Sequence, residues 1–320
     1  MASSQNDAIG IVIVTYNSAA EIGPCLDAAI ASGAEVVVVD NGSRDGTISQ
    51  IARRGARLIA NPENRGFAAA VNQGFRALSE CAYVLLLNPD AVIESSLAPL
   101  RDACSRQKIA GAGGMLLGSD GAPQTGFMVR RFPTPASLIL EAILLNRVWP
   151  GNPVNRRYRA LDLCLDKESD VEQPAGAFLM TRRSVWEELQ GFDEGFHPLW
   201  FEDVDYCKRA FDRGYMFRFV PFAVARHTGG HSIPQLTVEM RRFYWYGSLL
   251  RFTARHFHAL SFRVVCLAVV TGSILRGLGE TARSLSFKPM TSCGNVVRLA
   301  GRCFFRGWRE ESAGAIPSRS

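Results

Sequence analysis

The sequence predicts an α/β fold, a mainly parallel sheet flanked by helices, followed by a helical, basic C-terminal extension. Within residues 1–120, short runs of β-branched residues alternate with amphipathic stretches, which is the pattern of strands and helices in such a sheet. The chain has 320 residues, 47% of them hydrophobic, enough to bury a large core. A disordered or fibrous chain is therefore excluded.

Four buried strands are predicted in this first part, with helices between them. Apolar positions at Phe67, Val71 and Phe75 follow a period close to 3.6 residues, which predicts a helix over 65–79. Further helices are predicted over 18–32 and through Arg53. The strands are IGIVIVTYN (9–17), EVVVVD (35–40), RLIAN (57–61) and YVLLLN (83–88).

Polar residues follow each of these strands where it ends. In an open parallel sheet, ligands bind beyond the carboxyl ends of the strands. The sequence therefore predicts a binding site at this edge, formed by pairs of strand-end residues: Thr15 and Asn17, Asp40 and Asn41, Asn61 and Asn64, and Asn88 and Asp90.

The later part of the chain is less regular. Four prolines predict an irregular insertion over 132–171, with one short apolar helix at 137–145. A strand and then a helix follow within 171–189, a helix begins at about Glu202, and a strand covers Phe217 to Pro221. Beyond Pro234 the chain is predicted to be mostly helical to about Arg309 and to end in a frayed segment.

The positive charge of the chain belongs to its tail. Residues 1–235 hold 23 Lys and Arg against 26 Asp and Glu, whereas residues 236–320 hold 13 against 4. The tail interleaves Arg with aromatic residues and Leu, which suits helices at a membrane interface with anionic lipid; a C-terminal helix pair packed on a core is the alternative. A nucleic-acid binder is suggested only by this tail charge, and we do not expect one.

Several other classes are disfavoured by missing signals. The eight cysteines show neither CxxC pairs nor finger spacing, so a zinc module or a disulfide framework is not expected, and the chain fits a reducing cytoplasm. The N-terminus lacks the features of a signal peptide. Val264 to Leu275 is an apolar stretch of 12 residues between two arginines, shorter than the roughly 20 needed to span a bilayer, so we expect no transmembrane helix.

The strand-end acids offer a way to hold a nucleotide without a Gly-rich phosphate loop. Neither GxGxxG after the first strand nor GxxxxGK[ST] occurs. Asp40 is placed to accept from a base or ribose, and Asp90 to ligate a divalent cation bridging a diphosphate. The alternative for each is an Asx turn or a helix cap.

A second acidic cluster, Glu202, Asp203 and Asp205, follows an aromatic loop. It suits a general base beside an apolar sugar-binding wall, for which the loop residues Phe196, Trp200 and Phe201 are candidates. A solvated acidic helix start is the alternative.

Two histidines, His227 and His231, flank TGG after the strand at 217–221. His227 could give a metal nitrogen beside a carboxylate, or be structural.

Seven blocks of the sequence resemble, in order, the bacterial family 2 glycosyltransferases of GT-A fold, and within them the rhamnosyltransferase-like enzymes. The resemblance covers about residues 9–260. The blocks are IVIVTYNS, VVVVDNGSRDGT, NPENRGFAAAVNQGF, LLLNPDAVI, GAFLMTRRSVWEELQGFDEGF, WFEDVDYCKRAFDRGY and ARHTGGHS.

This resemblance implies an inverting, metal-dependent transfer of a sugar from a nucleotide-sugar. Asp203 would be the catalytic base, Glu202 would position the acceptor, and Asp90 with His227 would bind Mg²⁺ or Mn²⁺. Asn88 and Pro89 precede Asp90, so the DxD-type motif has only one carboxylate. The residues implied for the nucleotide-sugar are Thr15, Asn17, Asp40, Asn64, Arg65, Gly66 and Asn88.

The resemblance also implies a donor, an acceptor and a place of work. The expected donor is dTDP-rhamnose, with another dTDP- or UDP-linked hexose as the alternative; the acceptor is a cell-surface glycan or a polyprenyl-diphosphate-linked sugar. A GT-A catalytic domain would cover 1–235, with a nucleotide-sugar half at about 9–120 and an acceptor half at about 171–235. Residues 236–320 would be membrane-proximal, placing the enzyme on the inner face of the cytoplasmic membrane, with a monomer and a homodimer both left open.

Three other classes of protein would show different sequence features. A processive synthase would need membrane helices and usually a QxxRW motif, neither of which the sequence indicates. A sugar nucleotidyltransferase would need a Gly-rich, basic N-terminal signature, which is also missing. A non-catalytic sugar-nucleotide or glycan-binding scaffold of the same fold is the remaining alternative, which the presence of both Asp90 and Asp203 disfavours.

Overall fold

The structure is a computed structural model that describes residues 7–229, 236–284 and 288–309. It contains two compact units. The first comprises the described residues of Met1–Phe132, Arg159–Glu194 and Glu202–Ser232, and the second those of Pro133–Tyr158, Gly195–Phe201 and Ile233–Ser320.

The first unit is built on a nine-stranded sheet flanked by helices, which confirms the predicted α/β class. Four parallel strands, in the order β3-β2-β1-β4, are followed by β10, β6, β11 and β5, and β8 pairs with β11. β10 runs antiparallel to both β4 and β6, whereas β6 and β11 are parallel. The strands are β1 (Ile9–Thr15), β2 (Glu35–Asp40), β3 (Arg57–Ala60), β4 (Tyr83–Leu87), β5 (Ala91–Ile93), β6 (Ile109–Leu117), β8 (Ser169–Val171), β10 (Phe178–Arg182) and β11 (Met216–His227), with the pair β7 (Val129–Arg130) and β9 (Gln173–Pro174) forming a small second sheet.

The central strands are continuous apolar runs because both faces of the sheet are covered. Alternate residues point to opposite faces, so Ile11 and Ile13 join one apolar cluster while Val12 and Val14 join the other. The helices of this unit are α1 (Ile22–Ala31), α2 (Thr47–Arg54), α3 (Phe67–Ala77), α4 (Ala98–Cys104), α8 (Arg183–Glu188) and α9 (Glu202–Asp212).

The structure differs from the predicted elements mainly after residue 90. β5, α4 and β6 were not predicted, and β11 is longer than the predicted strand. β6 reads IAGAGGMLL, a composition with low strand propensity. Its glycines are needed by the packing, because a Cβ at Gly114 would lie 2.3 Å from the carbonyl oxygen of Ala223, and one at Gly111 would lie 2.6 Å from that of Met180.

The predicted irregular insertion is largely helical between residues 135 and 158. It forms α5 (Pro135–Ala142), α6 (Leu145–Val148) and α7 (Pro153–Tyr158) in the second unit. Thr134 caps α5 in a capping box. Its side chain accepts from the backbone N–H of Ser137, and the Ser137 hydroxyl accepts from the backbone N–H of Thr134.

The described part of the tail forms three helices of the second unit: α10 (Val238–His256), α11 (Ala259–Ser284) and α12 (Lys288–Arg306). α11 packs against α12, α5 and α10, and a Cβ at Gly272 would lie 1.8 Å from the carbonyl oxygen of Ala142 on α5. The arginines that bound the 12-residue apolar stretch do not end the helix, since Ala259–Arg283 is one helix whose length and composition would allow it to cross a membrane. Only 39% of its most apolar window is buried within the protein.

Candidate active site

Thr15 and Asp40, the last residues of the paired strands β1 and β2, form the first part of the site. Thr15 Oγ1 donates to Oδ1 of Asp40 across 2.9 Å, and both side chains are buried. Oδ2 of Asp40 accepts from the backbone N–H groups of Gly42 and Ser43, at 3.1 and 2.9 Å. The carboxylate is therefore the centre of the turn after β2, as the Asx-turn alternative predicts.

Asn17 joins the turn after β1 to the turn after β2. Its backbone has φ +49°, a left-handed conformation that Asn tolerates, so β1 ends at Thr15 and not at residue 17 as predicted. Its Oδ1 accepts from the backbone N–H of Arg44 across 2.7 Å, and its own N–H donates to Ser43 Oγ. These bonds hold the turns after β1 and β2 together beside the strand ends.

The turn before α3 is held by a network of amides. Asn41 Nδ2 donates to the carbonyl of Gly66 across 3.1 Å, and Asn61 Nδ2 donates to Oδ1 of Asn41 across 3.0 Å. Gly66 has φ +86° directly before α3, and its N–H donates to Oδ1 of Asn64. Asn64 and Arg65 are exposed beside this turn, which leaves them open to a ligand at the helix start.

Asn88, Asp90 and His227 come together after β4 and at the end of β11. Nε2 of His227 lies 3.4 Å from Oδ1 of Asp90 and 3.3 Å from Nδ2 of Asn88. Asp90 and His227 are buried, and β11 is paired with β5 so that His227 stands opposite Ala91. Residues 139 positions apart thus form one polar cluster. His231 lies outside the described residues.

Gln124, which no sequence motif indicated, also belongs to this cluster. Its Nε2 donates to the backbone carbonyl of His227 across 2.7 Å, and its Oε1 lies 2.9 Å from Nδ1 of the imidazole. The Phe127 ring stacks on the imidazole with centroids 5.2 Å apart. Nothing in the sequence links residue 124 to residue 227, because the link is made by the unpredicted strand β6.

Asp203 stands in the first turn of α9, where the sequence placed it. Its Oδ2 accepts from the backbone N–H of Gly176 across 3.1 Å, and its Oδ1 accepts from that of Val204 across 2.8 Å. Burial raises the pKa of Asp203, while these two hydrogen bonds and the positive charge of Arg130 act in the opposite direction. Such a carboxylate is oriented and more basic than an ordinary aspartate.

Glu202 is buried beside Asp203, and its Oε2 has no hydrogen-bond partner among the described residues. Burial, and then the charge of Asp203, raise the pKa of Glu202 well above its ordinary value. A buried, unpaired carboxyl atom next to a second carboxyl is costly for folding alone and is typical of functional sites.

Asp205, grouped with these acids in the sequence, has a different environment. It is fully buried and pairs with Arg209 one turn later, with Nε and Oδ2 2.7 Å apart. Arg209 also donates to the carbonyls of Leu189 and Gly191. Asp205 is therefore part of a buried structural ion pair.

The expected aromatic sugar wall is wrong for two of its three residues. Phe196 and Phe201 are buried within the second unit, where Phe201 packs on Phe252 with ring centroids 5.5 Å apart. Only Trp200 keeps partial exposure. Trp200 and Phe201 have φ of +78° and +69°, a strained conformation directly before α9.

The first-unit residues of the predicted site share one edge of the sheet. Asp40 ends β2, and β1 separates β2 from β4, which is followed by Asn88 and Asp90. The backbone N–H of Asn88 donates to the carbonyl of Ala177 across 3.0 Å, next to the Gly176 that binds Asp203. The strand end that carries Asn88 and Asp90 is thus linked, through neighbouring backbone groups, to the candidate base Asp203.

The donor set fits part of a site for a divalent cation. Asp90 offers a carboxylate oxygen and His227 an imidazole nitrogen at one point of the cluster. No three His, Cys, Asp or Glu side chains form a metal-binding group among the residues that the structure describes. A cation held by two protein ligands needs further oxygen ligands, which water or a bound phosphate supplies at Mg²⁺ sites.

Comparisons with known proteins agree with this architecture. Residues 10–187 match the family model for glycosyl transferase family 2. The N-acetylglucosaminyl-diphospho-decaprenol L-rhamnosyltransferase of Mycobacterium tuberculosis is 32% identical over 247 residues, which is 71% of this chain and 78% of that protein. The rhamnosyltransferase WbbL of Escherichia coli is 25% identical over 176 residues, 54% of this chain and 62% of WbbL.

Two solved structures share the fold at low sequence identity. A mannosyltransferase from Pyrobaculum calidifontis, in complex with GDP-Man and Mn²⁺, superposes with a TM-score of 0.50 at 16% identity, over 94% of this chain and 88% of that chain. GalNAc-T7 with UDP, GalNAc and Mn²⁺ gives a TM-score of 0.55 at 14% identity, over 77% of this chain and 47% of that chain. The fold is GT-A, as the resemblance implied.

Proposed function

The chain belongs to glycosyl transferase family 2, and we propose that it transfers L-rhamnose from dTDP-rhamnose to a hydroxyl of a polyprenyl-diphosphate-linked sugar or cell-surface glycan. The observation that carries this proposal is the 32% identity, over 78% of its length, to a relative named for rhamnosyl transfer to a diphospho-decaprenol-linked sugar. The oriented carboxylate of Asp203 and the polar strand ends supply a site with the chemistry that such a transfer needs.

In the proposed mechanism, Asp203 takes the proton of the acceptor hydroxyl while that oxygen attacks the anomeric carbon. The bond between the anomeric carbon and the diphosphate oxygen breaks at the same time, so the configuration inverts and the nucleoside diphosphate leaves. The N–H groups of Gly176 and Val204 hold the carboxylate in place, and its raised pKa favours uptake of the proton. Glu202 positions the acceptor beside it.

Asp90 and His227 would hold the divalent cation, Mg²⁺ or Mn²⁺. When bound there, such an ion neutralises charge on the departing diphosphate. Asn88 supports the cluster from the strand end, and Thr15 and Asp40 with the Asn64–Gly66 turn would hold the nucleoside. The N–H groups of Gly42 and Ser43 already fix the Asp40 carboxylate at the end of β2.

We further propose that the C-terminal part of the second unit, residues 236–320, brings the enzyme to the inner face of the cytoplasmic membrane. In this proposal residues 1–235 form the catalytic domain and residues 236–320 the membrane-proximal region. Three aromatic residues of α10 do not provide this contact, since Phe243, Tyr246 and Phe252 are buried.

The better support comes from one exposed row on α11. We name it the α11 row; its members are between 41% and 75% exposed, and they are Leu260, Val264, Leu267, Ile274, Leu275 and Leu278. The opposite face of α11 is buried at Val265, Cys266 and Val269. A helix that is apolar on both faces but covered on only one suits a position in the plane of the interface, half embedded.

Arginines accompany the α11 row. Arg263 and Arg283 are exposed near the two ends of α11, and Arg298, Arg302 and Arg306 are exposed on α12. An apolar row on a helix with exposed arginines near its two ends is complementary to a bilayer surface that contains anionic lipid.

A panel of nucleotide-sugars tests the proposed reaction. The protein would be incubated with dTDP-rhamnose, UDP-glucose, UDP-galactose and GDP-mannose, each with a polyprenyl-diphosphate-linked N-acetylglucosamine, with and without Mn²⁺. We expect dTDP to be released only when the acceptor is present. We expect NMR of the product to show the anomeric configuration opposite to that of the donor. Nucleotide release from another donor alone would mean that the transferred sugar is not rhamnose. No release from any donor would favour a non-catalytic binding scaffold.

A further inference from the structure

The side chain of Gln124 makes both of its polar contacts with a single residue, His227. Because its Nε2 donates to the His227 carbonyl across 2.7 Å, the two ends of the carboxamide are distinguished, since the reverse orientation would set two oxygens against each other. Oε1, 2.9 Å from Nδ1 of the imidazole, can only accept a hydrogen bond. The proton of the neutral imidazole is therefore on Nδ1, and the lone pair is on Nε2.

The backbone of Gln124 is held as firmly as its side chain. Its N–H donates to the carbonyl of Leu116 on β6 across 2.9 Å, and its carbonyl accepts from the N–H groups of Phe127 and Met128 at 3.1 Å. β6 pairs in parallel with the end of β11, where Leu117 stands opposite Arg226. Gln124 and His227 are thus fixed to two neighbouring strand ends, so the carboxamide has little freedom to follow a rotated ring.

The stacked Phe127 ring restricts the imidazole on its face, with an interplanar angle of 9°. In this orientation Nε2 is aimed at the polar cluster, 3.4 Å from Oδ1 of Asp90. Had the proton been on Nε2, the imidazole could not act as a ligand on that side, because a protonated ring nitrogen has no lone pair to offer.

We propose that Gln124 is a positioning residue that fixes the tautomer and orientation of His227, so that Nε2 is offered as a nitrogen ligand to a divalent cation beside Asp90. This inference rests on the proposed function, in which Asp90 and His227 hold the cation. Hydrogen-bond partners behind a metal-binding histidine typically change metal affinity by about 10- to 100-fold when they are removed.

Two variants of nearly equal size test the proposal in the full-length protein. Gln124→Met removes both polar atoms, whereas Gln124→Glu keeps an acceptor for the Nδ1 proton and loses the donor to the His227 carbonyl. The ring signals of ¹⁵N-labelled histidine in the metal-free protein report the tautomer, and electron paramagnetic resonance of Mn²⁺ alone reports the affinity. Circular dichroism checks that each variant is folded, and His227→Ala gives the affinity without the imidazole.

The expected result is a graded one. Gln124→Met should let the Nε2-protonated form of His227 appear and weaken Mn²⁺ binding by about 10- to 100-fold, while Gln124→Glu, which keeps the acceptor at Nδ1, should keep the proton on Nδ1 and lose less affinity than Gln124→Met. Unchanged ring signal and affinity in Gln124→Met would overturn the proposal. So would equal loss of affinity in both variants with an unchanged ring signal, which would indicate packing alone.

The two levels of the argument fail in different ways. If His227→Ala weakens Mn²⁺ binding but Gln124→Met does not, the inference about Gln124 is wrong and the proposed cation site stands. If His227→Ala binds Mn²⁺ as well as the wild type, the cation role of His227 is wrong, and the inference falls with it.

Discussion

The backbone N–H of Gly176 donates a hydrogen bond to Oδ2 of Asp203 across 3.1 Å and ties a carboxylate on α9 to the segment before β10. The next residue, Ala177, accepts from the backbone N–H of Asn88, so this segment also reaches the strand end that carries Asp90. The contact explains how an acid on a helix and an acid after a strand are kept at one edge of the sheet.

Asp203→Asn should remove catalysis while leaving the donor site intact. The amide keeps the shape of the side chain but cannot take up the acceptor proton, and general-base assistance contributes about 10²- to 10⁴-fold. We expect kcat to fall by that factor with the KM for the donor unchanged, measured by nucleotide release. Asp212→Asn, at the exposed end of the same helix and paired with Lys208, is the matched control. Wild-type turnover in Asp203→Asn would refute the assignment.

The pH dependence of the reaction follows from the same carboxylate. Asp203 must be ionised to act as a base, and burial raises its pKa, so its protonation begins at a higher pH than for an ordinary aspartate near 3.9. The acid limb of kcat/KM should therefore lie above that value, and it should be absent from the residual activity of Asp203→Asn. An acid limb that is identical in the two proteins would assign it to another group.

Glu202→Gln should raise the stability of the protein and weaken its positioning of the acceptor. The pKa of Glu202 is raised in the folded state, so its favourable contribution is present below about pH 4.3, the unfolded value, and is lost as the pH rises through the folded pKa. Gln carries no charge at any pH. The Tm advantage of Glu202→Gln should therefore be near zero at pH 4 and grow to a few degrees at neutral pH.

The exposed Glu187 supplies the control for this experiment. Glu187→Gln should shift Tm little at any pH, because its carboxylate is solvated and makes only a surface contact with Arg183. A Tm of Glu202→Gln below that of the wild type across the whole range would mean that the carboxyl is stabilising, contrary to its unpaired Oε2.

The strand ends could be predicted because the signal is local. Four β-branched runs followed by polar residues identify parallel strands and the edge where they end, and Thr15, Asp40 and Asp90 lie at that edge in the structure. The start of α9 at Glu202 was also predictable, since acids are favoured in the first turn of a helix.

The remaining features depend on packing that the sequence does not display. β6 is rich in Gly and Ala because its neighbours approach closely, so its composition hid both the strand and the Gln124 beside it. Asp205 follows Asp203 by two residues, which is about 200° around a helix, so one acid faces the site segment while the other enters the core. Linear proximity of acids did not distinguish these two roles.

Arg209→Met should destabilise the first unit without changing any residue of the proposed catalytic site. The variant breaks the buried ion pair of Asp205 with Arg209, which typically costs about 3–5 kcal/mol, and it removes two bonds to backbone carbonyls. Urea denaturation should show a fall in the free energy of unfolding of that order.

Lys208→Met is the matched control on the same helix. Lys208 and Asp212 have the same i,i+4 spacing as Asp205 and Arg209, but Asp212 is half exposed, so the expected loss is about 0–1 kcal/mol. Equal losses in the two variants would show that burial of the Asp205 pair does not determine its importance.

Glutamate substitutions in the α11 row should release the protein from anionic vesicles. Embedding a leucine side chain contributes about 1.5 kcal/mol or more, so Leu267→Glu and Leu275→Glu should each weaken binding to phosphatidylglycerol-containing vesicles by about tenfold or more. Binding to pure phosphatidylcholine vesicles should be weaker for all proteins, because the arginines near the row then have no anionic partner. Co-sedimentation with the full-length protein measures both.

Val238→Glu is the matched control, because Val238 is a half-exposed apolar residue at the start of α10, outside the α11 row. It should bind vesicles like the wild type. Turnover of a water-soluble acceptor should be unchanged in all three variants, which separates membrane contact from catalysis. If light scattering instead shows a dimer that the two α11 variants convert to a monomer, with vesicle binding unchanged, the row is covered by a second copy of the chain and the membrane proposal is wrong.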